Sequence, residues 1–224
     1  MEDVLSGSPL FMALDTSGAD ALRRSMFEVD LPRGSVLFDE GEPGNTLYVI
    51  LLGKIKLGTT SGDGRESLLA VLGPGEMFGE LSLFDPGPRM STATAITDSR
   101  VAGLSHEGLR PWLTGRPEVA ESLLQALAHR LRRTNETLAD LVFSDVPGRV
   151  AKALLDLSER FGSQTSRGLL VTHDMTQEEL AQLVGASRET VNKALADFGQ
   201  RGWIRLEQRS VLLIDIERLQ RRAR

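Results

Sequence analysis

Residues 176–202 read TQEELAQLVGASRETVNKALADFGQRG, and this stretch decides the fold of the C-terminal part of the chain. Thr176 and Glu179 stand at capping-box spacing, where a hydroxyl and a carboxylate each take a free backbone N–H at a helix start. A helix over Thr176–Val184 is therefore expected, with a tight Gly185-Ala186 turn and then Ser187 capping a second helix that runs to Gly202. Val191, Leu195 and Phe198 form the inward stripe of that second helix, and Arg188, Glu189, Asn192 and Lys193 gather near its start on the other face. Upstream, Arg149–Phe161 reads as a helix and Gly162–Gly168 as a polar loop. Downstream, the apolar segments Trp203–Leu206 and Val211–Ile214 suggest a hairpin, followed by a basic helix. Two helices across a tight turn with a hairpin behind them make a winged helix–turn–helix. A charged helix face is ordinarily just solvated. Here the side-chain types match base edges: Arg or Lys for guanine, Glu for the cytosine amino group, Asn for adenine. In this setting they point to double-stranded DNA.

Working back from this module, Pro117 to about Phe143 contains no Gly and no internal Pro. Ala120, Leu124, Leu127, Leu131, Thr134, Leu138 and Leu141 repeat at alternating spacings of four and three, a heptad seam by which one helix meets a twin. A homodimer is expected. A second stripe, Val119, Leu123 and Ala126, suits packing on the chain's own N-terminal part. Asp145-Val146-Pro147-Gly148 should break the helix and serve as a hinge.

Before residue 115 the period changes. Short alternating segments (Ser35–Asp39, Thr46–Leu51, Lys54–Thr59, Ser67–Leu72, Thr92–Ile96, Arg100–Leu104) are separated by Gly-rich turns, the pattern of a barrel or jelly roll, with a helix near Ala19–Met26 at one end. The class is α+β, with residues 1–115 as barrel, 116–144 as dimerisation helix and 145–224 as winged helix–turn–helix. Within the barrel, Phe78-Gly79-Glu80-Leu81-Ser82 and Pro88-Arg89-Met90-Ser91-Thr92 carry chemistry. Gly79 permits close backbone approach to a ligand, and a short helix behind it would aim N–H groups at an anion. Arg89 offers a charge-assisted bond to phosphate and Glu80 an acceptor for a sugar hydroxyl. Read without context, the same residues also suit an ordinary surface loop.

The run Ala181-Gln182-Leu183-Val184-Gly185-Ala186-Ser187-Arg188-Glu189-Thr190-Val191-Asn192-Lys193 resembles the helix–turn–helix of the cyclic-AMP receptor protein family of bacterial transcription regulators. The likeness extends over essentially the whole chain and is strongest to actinobacterial members. It implies that Arg188, Glu189 and Lys193 read a TGTGA-like half-site, and that Thr176, Gln177, Ser187 and Asn192 lie at the DNA. Lys193 stands where many members have Arg; it keeps the charge and loses the bidentate fork. The resemblance makes the Gly79 to Ser91 region the phosphate-binding cassette for cyclic AMP. Glu80 would hold the ribose 2′-hydroxyl and Arg89 the cyclic phosphate, with Gly79, Leu81, Ser82, Met90 and Ser91 around them. Met90 departs from the pattern, because the family usually has Ser or Thr there, and a thioether offers no donor. Ser91 supplies a substitute hydroxyl, or nucleotide dependence is weakened or altered. Thr134-Asn135 would bond the adenine amino group from both subunits; read from spacing alone, a polar seam residue also fixes register. RNA polymerase is the implied protein partner.

Composition narrows the alternatives. The chain has 224 residues, 25% charged and 41% hydrophobic, with no cysteine. Disulfides, Cys-ligated zinc, a Cys nucleophile and the iron–sulfur branch of the superfamily are excluded. No His precedes His106 in the barrel, which disfavours haem. Residues 1–115 carry 9 Lys and Arg against 16 Asp and Glu, and residues 116–224 carry 17 against 15, so an acidic module precedes a mildly basic one. No apolar run approaches membrane length and no signal-peptide layout opens the chain, so a cytoplasmic location is expected. There is no P-loop and no acid/base pair beyond the cassette, and an enzyme is not expected. His106, His129 and His173 read as surface residues, Trp112 and Trp203 as packing. Arg130, Arg132 and Arg133 read as a solvated face or an inter-subunit salt bridge. Arg218, Arg221, Arg222 and Arg224 either touch DNA phosphates or only solubilise the tail.

Overall fold

The computed structural model describes residues 2–85 and 87–223, with Glu2 and Asp3 by backbone alone, so the reading of Arg224 lies outside the described residues. Packing divides the chain into two compact units, residues 1–59 with 69–133, and residues 60–68 with 134–224.

The first unit opens with short helices α1 (Glu2–Ser6), α2 (Pro9–Met12) and α3 (Thr16–Arg24). Asp15 caps α3 through the Gly18 N–H, so this helix starts and stops earlier than the expected Ala19–Met26. Strands β1 (Phe27–Leu31), β2 (Val36–Phe38), β3 (Thr46–Leu52), β4 (Ile55–Thr60), β5 (Glu66–Leu72), β6 (Met77–Phe78), β7 (Thr92–Ala95) and β8 (Ser99–Ser105) follow, with α4 (Leu81–Phe84) between β6 and β7. They make two antiparallel sheets, ordered β1-β8-β3-β6 and β2-β7-β4-β5, a jelly roll. β3 shows how one strand serves two cores. Leu47, Val49 and Leu51 face a helical layer with Leu10, Phe11 and Leu22, whereas Tyr48 and Ile50 face the barrel interior with Phe38 and Phe78. Both faces being buried, the strand reads as a nearly unbroken apolar run.

Helix α5 (His106–Gly115) leads into α6 (Pro117–Phe143), 27 residues long. Val119 and Leu123 of the second stripe are fully buried in the same helical layer, as expected. The heptad leucines Leu124, Leu131, Leu138 and Leu141 are 66%, 62%, 57% and 46% exposed on this single chain.

The second unit contains α7 (Val146–Phe161), β9 (Gly162–Thr165), β10 (Gly168–Thr172), α8 (Gln177–Val184), α9 (Arg188–Gln200), β11 (Ile204–Glu207), β12 (Ser210–Leu213) and α10 (Ile216–Arg222). The sheet order is β11-β12-β10-β9, all antiparallel. Three expectations are corrected here. The polar segment from Gly162 is a strand paired with β10, hidden from pattern reading because every residue of β9 is exposed or half-exposed. Pro147 and Gly148 belong to the first turn of α7, where a missing N–H does no harm; the break is confined to Ser144 and Asp145. His173 is buried, not superficial, and its Nδ1 accepts from the Met175 N–H at 3.1 Å.

Candidate functional site

Gly79 sits at φ +79, and a Cβ there would fall 2.8 Å from Arg89 Nη1 and 3.0 Å from the Thr46 carbonyl oxygen. Only glycine allows both the turn and the approach. The turn brings Glu80 to the cap position of α4 and Ser82 inside it. The following segment is pinned to the β2–β3 turn: the Arg89 N–H donates to Glu42 O at 2.8 Å, and the Gly41 N–H donates to Arg89 O at 2.8 Å. Gly79, Glu80, Leu81, Ser82, Arg89, Met90 and Ser91 are thereby gathered around one open cleft, together with Phe38, Leu57 and Arg130.

The cleft holds two buried charges of opposite sign. Glu80 is 1% exposed; its Oε1 accepts from Arg130 Nη1 at 2.8 Å, and its Oε2 is buried with no hydrogen-bond partner among the described residues. Arg89 is 6% exposed and donates to Gly79 O at 2.8 Å, Ser82 Oγ at 3.0 Å and Thr46 O at 2.9 Å, while its Nε is buried without a partner among the described residues. Burial pulls the guanidinium below its ordinary value, opposed by Tyr48, Glu42 and Glu80; an arginine stays charged regardless. An orphaned carboxylate oxygen and an orphaned guanidinium N–H, each costly to bury alone, fit a ligand bringing a hydroxyl and an anionic group. A sugar phosphate meets that description. Met90 is 70% exposed at the cleft edge, and Ser91 is half-buried. Thr134 and Asn135 stand exposed on α6 and are not among the lining residues.

Arg130 is a second residue whose surroundings differ from the sequence reading. It lies fifty positions from Glu80 and looked like part of a solvated arginine face, and no local signal marks the pair.

In the second unit the capping box is complete: Thr176 Oγ1 accepts from the Glu179 N–H at 3.1 Å, and Glu179 Oε2 accepts from the Thr176 N–H at 2.8 Å. Gly185 ends α8 in the left-handed region at φ 68, and Ser187 caps α9. Thr176, Gln177, Ser187, Arg188, Glu189 and Lys193 are all exposed. Glu189 and Lys193 pair with each other at 2.7 Å, one turn apart. Asn192 is half-buried and its Oδ1 is buried without a partner, so it stands apart from the open face of Arg188, Glu189 and Lys193.

Two further side chains brace this module, Arg149, which no motif marks, and Asp145, which the sequence marks only as part of the helix break. Arg149 on α7 donates to Ser144 O at 2.8 Å, Val184 O at 3.0 Å and Gly185 O at 3.3 Å, joining the start of α7 to the turn between α8 and α9. Asp145 caps α7 with Oδ1 on the Gly148 N–H and pairs through Oδ2 with Arg222 of α10 at 2.6 Å. The Arg222 bond, then the Gly148 N–H, hold its carboxyl below the usual range.

Residues 28–114 match the cyclic nucleotide-binding domain and residues 148–222 the Crp-like helix-turn-helix domain. The chain is 59% identical over 224 residues, all of both chains, to the CRP-like cAMP-activated global transcriptional regulator of Mycobacterium tuberculosis. The chain belongs to the CRP-like family of transcription regulators. This regulator is also 39% identical over 203 residues, 90% of each chain, to the cyclic AMP receptor protein of Thermus thermophilus. Among solved structures it is similar to the c-di-GMP responsive global regulator CLP of Xanthomonas campestris, at 27% identity, with 89% of this chain and 99% of that one covered and a TM-score of 0.76. The members it resembles are regulators of transcription and not enzymes, as expected from the sequence. No helix among its described residues is long and apolar enough to cross a membrane.

Proposed function

We propose that this CRP-like regulator is a cytoplasmic homodimer that binds cyclic AMP and, in response, binds palindromic TGTGA-type sites in double-stranded DNA, with RNA polymerase as its protein partner. The observation that carries the reading is the pair of orphaned buried atoms in one cleft, Glu80 Oε2 and Arg89 Nε. The carboxylate takes the ribose 2′-hydroxyl and the guanidinium takes the cyclic phosphate, with Gly79, Leu81, Ser82, Met90 and Ser91 shaping the wall. Names of relatives such as the cAMP-activated mycobacterial protein support cyclic AMP as the nucleotide. Thr134 and Asn135, in and beside the exposed heptad seam, contact the adenine amino group across the dimer. Leu124, Leu131, Leu138 and Leu141 of the seam, about half or more exposed on one chain, are covered by the twin helix. Residues 1–115, 116–144 and 145–224 are the nucleotide, dimer and DNA modules.

The mechanism is a population shift: nucleotide binding favours the dimer form that presents two recognition helices about 34 Å apart, one turn of DNA. Arg188, Glu189 and Lys193 read bases, and Thr176, Gln177, Ser187 and Asn192 support the docking. Calorimetric titration with cyclic AMP, followed by DNA binding with and without it, tests the proposal. Heat on titration and tighter DNA binding in its presence are expected; no heat and one DNA affinity under both conditions would overturn it. A second reading, weak or altered nucleotide dependence, is favoured by the thioether of Met90 where a hydroxyl would serve the phosphate.

A further inference from the structure

Arg89 is a buried cation with no carboxylate in ion-pair contact among the described residues; its in-plane partners are two carbonyls and a hydroxyl. What compensates the charge on its flat side is an aromatic ring. Arg89 Cζ lies 4.2 Å from the centroid of Phe38 and 5.8 Å from that of Tyr48. Phe38 is itself fixed: it stacks on Tyr48 (6.0 Å, 29°) and lies against Phe78 (6.0 Å, 35°), and Tyr48 stacks on Phe78 (5.5 Å, 25°). The pairing of β2 with β7 shifts register between Val36 and Phe38, a bulge of the kind that re-aims a side chain. Phe38 also lines the cleft and is 7% exposed.

We infer that Phe38 is a positioning residue for nucleotide binding, its π face orienting the Arg89 guanidinium towards the cyclic phosphate. The inference rests on Arg89 being the phosphate ligand, as proposed above. A carboxylate in the same place would hold Arg89 equally well, but the phosphate would then compete with a resident anion. An aromatic face neutralises part of the charge and leaves the in-plane N–H groups to the ligand. The Nε–H, which no atom among the described residues accepts, is such a group. Ring electron density, and not only ring size, therefore sets the affinity.

The test replaces Phe38 in the full-length protein with mono-, di- and trifluorinated phenylalanine, which nearly preserve shape while draining the π face. Affinity for cyclic AMP is read by calorimetry at fixed salt, and folding by thermal unfolding. Each fluorination step is expected to weaken binding, to about tenfold in total at the trifluorinated ring, and Phe38→Leu by a similar factor. Phe38→Tyr, which keeps the π face, should stay within about twofold of the parent. Equal affinity along the fluorinated series would overturn the inference and leave Phe38 as packing. Arg89→Met separates the two levels: loss of most binding in this variant with a flat fluorine series sinks the platform alone. Unchanged affinity in Arg89→Met sinks the phosphate assignment and the platform with it.

Discussion

Removing Arg130 while leaving Glu80 should destabilise the ligand-free protein by about 2 kcal/mol. The magnitude follows from burial. Glu80 is 1% exposed, and among the described residues only Oε1 of its two carboxylate oxygens is bonded, to Arg130 Nη1 at 2.8 Å. Stranding one member of a fully buried pair costs about 3–5 kcal/mol, and a single charge-assisted hydrogen bond contributes about 1.5–3 kcal/mol. The Arg130 side chain is 40% exposed, so water screens its end and the lower part of that range applies. Glu80→Gln removes the charge and keeps an acceptor, so it should cost about 1 kcal/mol or less. The double variant should then be no less stable than Arg130→Met alone, a coupling of about 1–2 kcal/mol. Urea unfolding of the four proteins, nucleotide-free and at matched salt, measures the cycle by linear extrapolation. Strictly additive losses, with coupling indistinguishable from zero, would refute the view that Arg130 neutralises a buried charge.

Met90→Thr should tighten cyclic-AMP binding by one neutral hydrogen bond, about fivefold, at little cost in burial because Met90 is 70% exposed; calorimetry showing looser binding contradicts this. Arg188→Ala and Glu189→Ala should each weaken binding to a TGTGA-type palindrome by about 1–3 kcal/mol without altering the cyclic-AMP titration, and retention of parental DNA affinity would remove the base-reading assignment. Asp145 has a depressed folded value, so its stabilising effect is present above the ordinary 3.8 and lost as pH falls through that lower value. Asp145→Asn keeps a capping acceptor and loses the Arg222 pair. Its stability deficit should be constant near neutrality and close at strongly acidic pH, and a deficit that persisted there would rule out the ion pair as its source.

The parts of this protein legible in its sequence are those whose physics is local. The Thr176–Glu179 box, the tight turn at Gly185 and the Ser187 cap each act within a few residues, and all three form as expected. Val119 and Leu123 were readable because one helical period carries both. The cassette residues were legible by resemblance, but the two side chains that complete it were not. Phe38 and Arg130 reach Arg89 and Glu80 across the fold, and neither spacing nor residue type announces the meeting. β9 was missed for the opposite reason: with neither face buried, Gly162–Thr165 has no alternation to read. Pro147 misled because the residue that ends most helices also opens them.

The three carbonyls gathered by Arg149 have a mechanical consequence. Ser144 lies just ahead of α7, and Val184 and Gly185 sit some forty positions later, yet one guanidinium holds all three, and its planar fork lets a single rigid group do so. Leu141 closes the same corner, since a Cβ on Gly185 would fall 2.9 Å from its Cδ2. Ser144 is therefore joined to the α8–α9 turn by side-chain contacts and not by chain continuity alone. The turn from which α9 projects and the backbone just before α7 thus share one side-chain brace.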